Sequence, residues 1–410
     1  MYSFSKAVAA MRSSEIRDLM KLATSPGVIS FAGGMPNNDL FPVKTIDGIY
    51  NSLPDDIKKV GFQYGPTSGY PPLLASLKEY LRKKGMPVDT NELMITTGSL
   101  QAINILTQEF VDPGDVVITE NPSFIGAISV FKAYRADIHS IPIDKDGIDI
   151  ELLKQKLDSL EVTPKILYVT PNFHNPAGIS YTKERKQQLL DVLAGRGIIL
   201  LEDDAYSELY FGDADKESIV PMKNSEPADV PIVYTGSFSK IMGPGFRLGW
   251  LLVAPEIYQK CELIKQAMDA CSPNFTQVLA NEFLRRERFQ EYLAYLRKEY
   301  ASRRDMMLKS LKRHMPEEVT WNEPKGGFYF WFTMPENIDA TAVLEKSIKN
   351  GAVFVTGKTF DPAGVKNNNF RMSFSNMNKA DIDKGVKIIA DAIREVMTER
   401  VKNGHLEGVG

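Results

Sequence analysis

Short apolar runs recur at 93–97, 115–119, 136–143, 165–170, 197–201, 232–235 and 248–254. Each has the length of a strand, and helical patterns lie between them. From about residue 66, Leu73, Leu74, Leu77 and Leu81 mark one apolar helix face, and a second helix runs from Gly98-Ser99 to Phe110. Short apolar strands alternating with helices predict a mostly parallel sheet covered on both faces. Ligands of such sheets bind beyond the carboxyl ends of the strands. Gly98-Ser99, Asn175, Asp203 and Ser237 all follow predicted strands, so they are expected to converge on one crevice.

The pattern differs at the two ends. A helix is predicted over 14–23, followed by a stretch at 31–42 in which Gly33-Gly34 and Pro36-Asn37-Asn38 break regular structure and predict an extended arm. Beyond about residue 290, a long charged helix over 289–315 leads to aromatic runs at 326–332, 353–355 and 370–374, which predict a smaller α+β unit. A chain of 410 residues exceeds one ordinary core. The expected division is an arm and helix over 1–45, a large cofactor-binding domain over 46–295 and a C-terminal small domain over 296–410.

Composition narrows the function classes. A net charge of −3 without a basic tract argues against nucleic acid. No secretory signal and no apolar run of membrane-spanning length is evident, so the cytoplasm is the expected location. Cys261 and Cys271 resemble neither a disulfide framework nor a metal site, and no metal is expected.

The densest chemical signal is Gly-Ser-Phe-Ser-Lys-Ile-Met-Gly-Pro-Gly-Phe-Arg, ending at Arg247. A lysine amine, Lys240, can form a Schiff base with an aldehyde. Ser237, Ser239, open glycine backbone and Arg247 can hold a phosphate dianion. Pyridoxal 5′-phosphate carries both groups. The remaining requirements of that cofactor have candidates. A carboxylate for the pyridine nitrogen is Asp203 or the adjacent Asp204, which strand alternation sends to opposite faces. Asn175 and Tyr206 can hydrogen-bond the ring oxygen. Ser99, at a strand-to-helix turn where it could equally be a plain N-cap, and the amide of Leu100 lie at a helix N-terminus, which favours anions. Phe124 could stack on the ring. Arg371, among apolar neighbours, could fork onto a substrate carboxylate or serve a structural ion pair.

In this order these residues resemble the fold-type I pyridoxal-phosphate aminotransferases, nearest the subgroup of 2-aminoadipate, kynurenine and broad-specificity aromatic aminotransferases. The resemblance runs from Ile16-Arg17 to Ser375 and includes 29–42, Gln63-Tyr64-Gly-Pro-Thr, Thr97-Gly98-Ser99, Asp203-x-x-Tyr206 and 236–247. It implies a large domain with a mostly parallel seven-stranded sheet, a smaller α+β domain and a homodimer with sites at the subunit interface. It implies that Lys240 holds the aldehyde and moves a proton, that Asp203 pairs with the pyridinium, and that Asn175 and Tyr206 bind the ring oxygen. Phosphate would fall to Ser99, Leu100 (by its amide), Ser237, Ser239 and Arg247, with Tyr64 reaching the neighbouring subunit's phosphate. Arg371 would clamp the α-carboxylate, while Arg17 and Gly34 would border the side-chain pocket and Asn175 the substrate. The chain departs from the family pattern at His174, Ala177, Leu100, Phe124 and Thr356-Gly357. None of these removes an essential group.

The expected activity is transfer of an amino group between an L-amino acid (2-aminoadipate-like, aromatic or aliphatic) and a 2-oxo acid, 2-oxoglutarate by preference, in a ping-pong cycle. The expected lysine has a lowered pKa. Rival readings are a β-lyase or decarboxylase of the same fold, and a transcription regulator with an aminotransferase-like module. Regulators of that kind carry an N-terminal winged helix, and a motif beginning by residue 14 is expected to leave no room for one.

Overall fold

The protein is described here by a computed structural model covering residues 2–9, 19, 21, 27–212, 219–286 and 288–407. Arg17 and, apart from residues 19 and 21, the helix expected over 14–23 lie outside the described residues.

The arm begins with β1 (Ile29–Ser30). The large sheet takes β2 (Glu92–Thr96), β3 (Val116–Asn121), β4 (Asp137–Asp144), β5 (Gly147–Ile148), β6 (Ile166–Val169), β7 (Ile199–Asp204), β8 (Ile232–Ser237) and β9 (Gly249–Val253). Its order is β2-β9-β8-β7-β6-β3-β4-β5. The seven expected strands are all present. An eighth, β5, is a two-residue hairpin return from β4 that the sequence pattern was too short to signal. The pairings β8–β7, β7–β6, β6–β3 and β3–β4 are parallel. β9 runs antiparallel to both β8 and β2. Two reversals restore the direction, so β2 delivers its carboxyl end to the same edge as β8.

Alternation along the strands divides the core. Ile118, Leu167 and Leu200 pack with Leu153 and Leu189 on one face. Val117, Tyr168 and Leu201 pack with Ile103, Leu106 and Phe131 on the other. Burial of central strands on both sides is what a parallel sheet between helix layers requires. β7 carries this alternation into its acidic end: Glu202, Asp203 and Asp204 lie within the strand and are all buried.

Past the helix Arg288–His314 comes an antiparallel sheet of β10 (Thr320–Trp321), β11 (Tyr329–Thr333), β13 (Val355–Thr356) and β14 (Asn369–Ser373), ordered β10-β11-β14-β13. β12 (Ala352–Val353) pairs in parallel with β1, so the N-terminal arm is anchored here. Between β1 and the helix that starts at Val43 the chain has little regular structure apart from a short 3-10 turn at Asn38–Leu40, and its Gly34 carbonyl meets Lys240 Nζ just past the carboxyl end of β8. Among the described residues no helix is long and apolar enough to cross a membrane.

Candidate active site

The carboxyl ends of β2, β6, β7 and β8 open into one cleft of about 380 Å³. One end of it is built around a helix start. Gly98, at φ +83°, caps the helix Ser99–Phe110, a backbone angle that suits glycine. The cap position therefore belongs to Gly98 rather than Ser99, which sits in the first turn. Gly249 on β9 packs behind this turn, where a Cβ would come 2.7 Å from the Ser99 nitrogen. The first-turn amides of Ser99 and Leu100 are helix-end donors, and both residues line the cleft. Arg247, left-handed at φ +52°, donates to the Thr97 and Pro244 carbonyls at 3.2 Å each, which places its guanidinium beside Gly98. Ser237 Oγ accepts the Ser239 amide at 3.1 Å. Four cationic or hydroxyl side chains and two helix-end amides thus border one end of the cleft.

At the centre is Lys240, whose Nζ donates to the Gly34 carbonyl of the arm at 3.0 Å. Burial, with help from Arg371 and Arg247, lowers its pKa to about 8, against the opposing pull of Asp203. Asp203 faces the cleft while Asp204 points to the opposite face, as alternation requires. Burial pushes the Asp203 carboxyl up to about 7. Tyr168 donates to its Oδ2 at 2.8 Å, whereas the buried Oδ1 has no protein partner.

The far wall comes from the smaller sheet. Arg371 on β14 is 2% exposed. It donates to Asn175 Oδ1 at 2.8 Å and the Ala32 carbonyl at 2.6 Å, and its guanidinium stacks 4.4 Å from the Tyr329 ring and 4.7 Å from that of Phe360. No carboxylate among the described residues pairs with it, so the structural ion pair is not found, and its Nε is buried without a partner. Burial lowers its pKa.

Of the residues expected from sequence, Ser99, Leu100, Phe124, Asn175, Asp203, Tyr206, Ser237, Ser239, Lys240, Arg247, Gly34 and Arg371 all border this cleft. Tyr64 does not. It is 84% exposed on the surface of its own chain. Sequence reasoning missed Tyr168, Thr170 and Tyr329. Tyr168 carried a weak signal, a hydroxyl inside an otherwise apolar strand. Tyr329 was indistinguishable from its neighbours in an aromatic run. The departure at His174 also finds its setting. Its Nδ1 accepts the Ala177 amide at 3.1 Å, so Nε2 carries the hydrogen and donates to buried Glu120 at 3.0 Å. Glu120 further accepts Tyr181 Oη and the Thr170 amide, fixing the loop that presents Asn175.

An unpartnered carboxylate oxygen, an amine of lowered pKa and an anion cradle in one cleft match the three functional ends of pyridoxal 5′-phosphate: its pyridinium N–H, its aldehyde and its phosphate. Comparisons agree. Residues 40–389 match the family model for aminotransferase class I and II. The chain is 35% identical over 398 residues to aromatic-amino-acid aminotransferase 1 of Thermococcus litoralis, covering 96% of this chain and 94% of that protein. The crystal structure of the multiple substrate aminotransferase from Thermococcus profundus aligns with a TM-score of 0.92 at 35% identity, covering 97% of this chain and 98% of that one. The α-aminoadipate aminotransferase of Thermus thermophilus, complexed with N-(5′-phosphopyridoxyl)-L-leucine, aligns at 0.87 with 33% identity, covering 96% of this chain and 98% of that one.

Proposed function

The chain belongs to the class I and II aminotransferases and is a pyridoxal 5′-phosphate enzyme, and from that premise we propose that it moves the amino group of an aromatic, 2-aminoadipate-like or aliphatic L-amino acid to 2-oxoglutarate in two successive half-reactions. One observation carries the residue assignments. The Lys240 amine, the open Asp203 oxygen and the carboxylate-free Arg371 guanidinium face a single cleft from three different elements.

When bound, the cofactor supplies an aldehyde that takes up the amino group and an electron-poor ring that stabilises charge at the α-carbon. Asp203 Oδ1 would accept the ring N–H, while Tyr168 holds the carboxylate by its other oxygen. Asn175 and Tyr206 would hold the ring oxygen. Ser99, Ser237, Ser239, Arg247 and the Leu100 amide would hold the phosphate, and Phe124 would lie beside the ring. Arg371 receives the α-carboxylate, oriented by Asn175 and Ala32. Lys240 Nζ would hold the cofactor's aldehyde when no amino acid is bound. As a free amine it would serve as the base for the α-proton, a role that its lowered pKa of about 8 in the cofactor-free protein suits.

The division into an arm (1–45), a large domain (46–295) and a small domain (296–410) belongs to the same reading. So does a homodimer in which Tyr64 reaches the neighbouring subunit's phosphate. It is supported by the exposure of Tyr64 together with Phe62 and Val43, at 84%, 74% and 68%. A panel of amino donors, including 2-aminoadipate, aromatic amino acids, leucine and glutamate, assayed with 2-oxoglutarate tests the substrate reading. Matched amounts of oxo acid and glutamate are expected. Ammonia released with pyruvate would identify a lyase instead. A dominant preference for alanine or aspartate would overturn the proposed substrate class.

A further inference from the structure

Tyr329 has no role in the assignments above, yet it touches three parts of the site. Its hydroxyl lies 2.9 Å from that of Tyr206. Its ring face carries the Arg371 guanidinium at 4.4 Å. Its hydroxyl also fills the space beside Gly34 that a Cβ there would need, and Gly34 is the residue whose carbonyl receives Lys240. The side chain is 1% exposed and stands on β11, paired with the β14 strand that bears Arg371.

We propose that Tyr329 is a positioning residue for the cofactor's ring oxygen, acting through Tyr206, and that it couples that oxygen to the Arg371 carboxylate clamp. The inference rests on the reading that Tyr206 faces the ring oxygen. A phenol hydroxyl has one hydrogen to give. If Tyr206 gives its hydrogen to the ring oxygen, the 2.9 Å contact with Tyr329 is filled by the Tyr329 hydrogen. Tyr206 then accepts from Tyr329 and donates onward, a chain in which each bond strengthens the next. Tyr206 stays a donor over the working range. Burial, together with Tyr329 and Asp203, raises its pKa well above the usual phenol value, and Arg371 opposes this. The other charged group facing the pair is Lys240, whose Nζ lies 5.6 Å from the Tyr206 ring centre.

The competing view is that Tyr329 is a core aromatic whose hydroxyl merely found a partner. Tyr329→Phe separates the two, because it keeps the ring, the guanidinium stack and the packing. The test is a pH titration of the visible absorbance of the bound cofactor in four purified holoenzymes: wild type, Y329F, Y206F and the double variant. A donor to an anionic ring oxygen lowers the titration midpoint, so removing it raises the midpoint. Y206F is expected to raise it most. Y329F should raise it by a few tenths of a pH unit, the size expected when a neighbouring bond strengthens another by about 10–30%. Cofactor stoichiometry should be unchanged. The double variant should match Y206F alone, because Tyr329 has nothing to act through once Tyr206 is gone. An unshifted Y329F midpoint, or a double variant equal to the sum of the singles, overturns the proposal. A wild-type protein with no titrating band, or one that keeps its band in Lys240→Ala, overturns the underlying cofactor reading and is seen before any Tyr329 variant is compared.

Discussion

Asp203 and Asp204 are neighbours on β7, chemically identical and each 4% exposed, yet the two sides of the strand treat them in opposite ways. On the rear side every carboxylate oxygen is satisfied. Asp204 accepts Tyr234 Oη at 2.8 Å and Asn172 Nδ2 at 3.2 Å. Glu202 accepts the Met222 and Lys223 amides at 2.8 and 3.0 Å. Lys186 reaches Asn172 Oδ1 at 3.0 Å, and its field acts on both acids. On the cleft side, among the described residues, Asp203 has a single hydrogen-bond donor, Arg371 has no acidic partner, and Lys240 Nζ has one hydrogen-bond acceptor, a carbonyl. A buried polar group left unmatched costs free energy. A ligand that completes the cleft side recovers that cost, whereas the rear side has no such deficit. Between these two aspartates, hydrogen-bond satisfaction, rather than burial or residue type, separates the cleft side of β7 from its rear side.

Exchanging lysines gives the largest expected contrast. Lys240→Ala should lower turnover by on the order of 10⁴, the upper range for loss of an acid–base group. Lys186→Met, on the rear side, should leave turnover within several-fold and appear as a lower unfolding midpoint. Comparable turnover losses for the two would erase the distinction.

The aspartates come next. Asp203→Asn should cost about 10²–10³ in kcat, as removal of one preorganised charge does. In the cofactor-free protein the same change should stabilise. The folded pKa near 7 lies above the unfolded value, so the folded state binds the extra proton between about pH 4 and 7 and stability falls as pH rises through that window. Removing the carboxyl should return about 1–2 kcal/mol at pH 8. Part of the fall will remain, because burial also raises Glu202 to about 7. Asp204→Asn should do the reverse, destabilising by about 1–3 kcal/mol with little change in kcat, because an amide cannot accept both donors. Urea melts of both variants across pH, paired with kinetics, check the opposite signs.

Arg371→Lys keeps the charge and loses the planar fork. It should lower kcat/KM for amino acids by about 10- to 100-fold, the worth of one charge-assisted bond. The smallest effect is a change of slope. The rate at which the cofactor-free protein takes up pyridoxal 5′-phosphate should rise with pH until about 8 and then level off, because the neutral amine is the reactive form. Continued rise toward about pH 10 would mark Lys240 as an ordinary lysine.

Much of this arrangement was legible in advance. The strand-length runs placed Ser99, Asn175, Asp203 and Ser237 at one sheet edge, because the carboxyl ends of these strands lie together. The glycine, serine and arginine around Lys240 implied a phosphate partner, because those groups together suit a dianion. The two-residue β5 was too short to leave a pattern. The cap at Gly98 depended on Gly249, which lies on another strand.

By itself the sequence determined the sheet class, the cofactor and the opposite orientation of the two aspartates, because periodicity and local chemistry act over a few residues. It could not show that Arg371 meets Asn175 rather than an acid among the described residues, that Tyr168 turns Asp203, or that Tyr329 meets Tyr206. Those contacts span 196 positions between Arg371 and Asn175, 35 between Tyr168 and Asp203, and 123 between Tyr206 and Tyr329. Only packing of the smaller sheet against the cleft, and of neighbouring strands within the large one, sets which polar atoms are paired and which are left for a ligand.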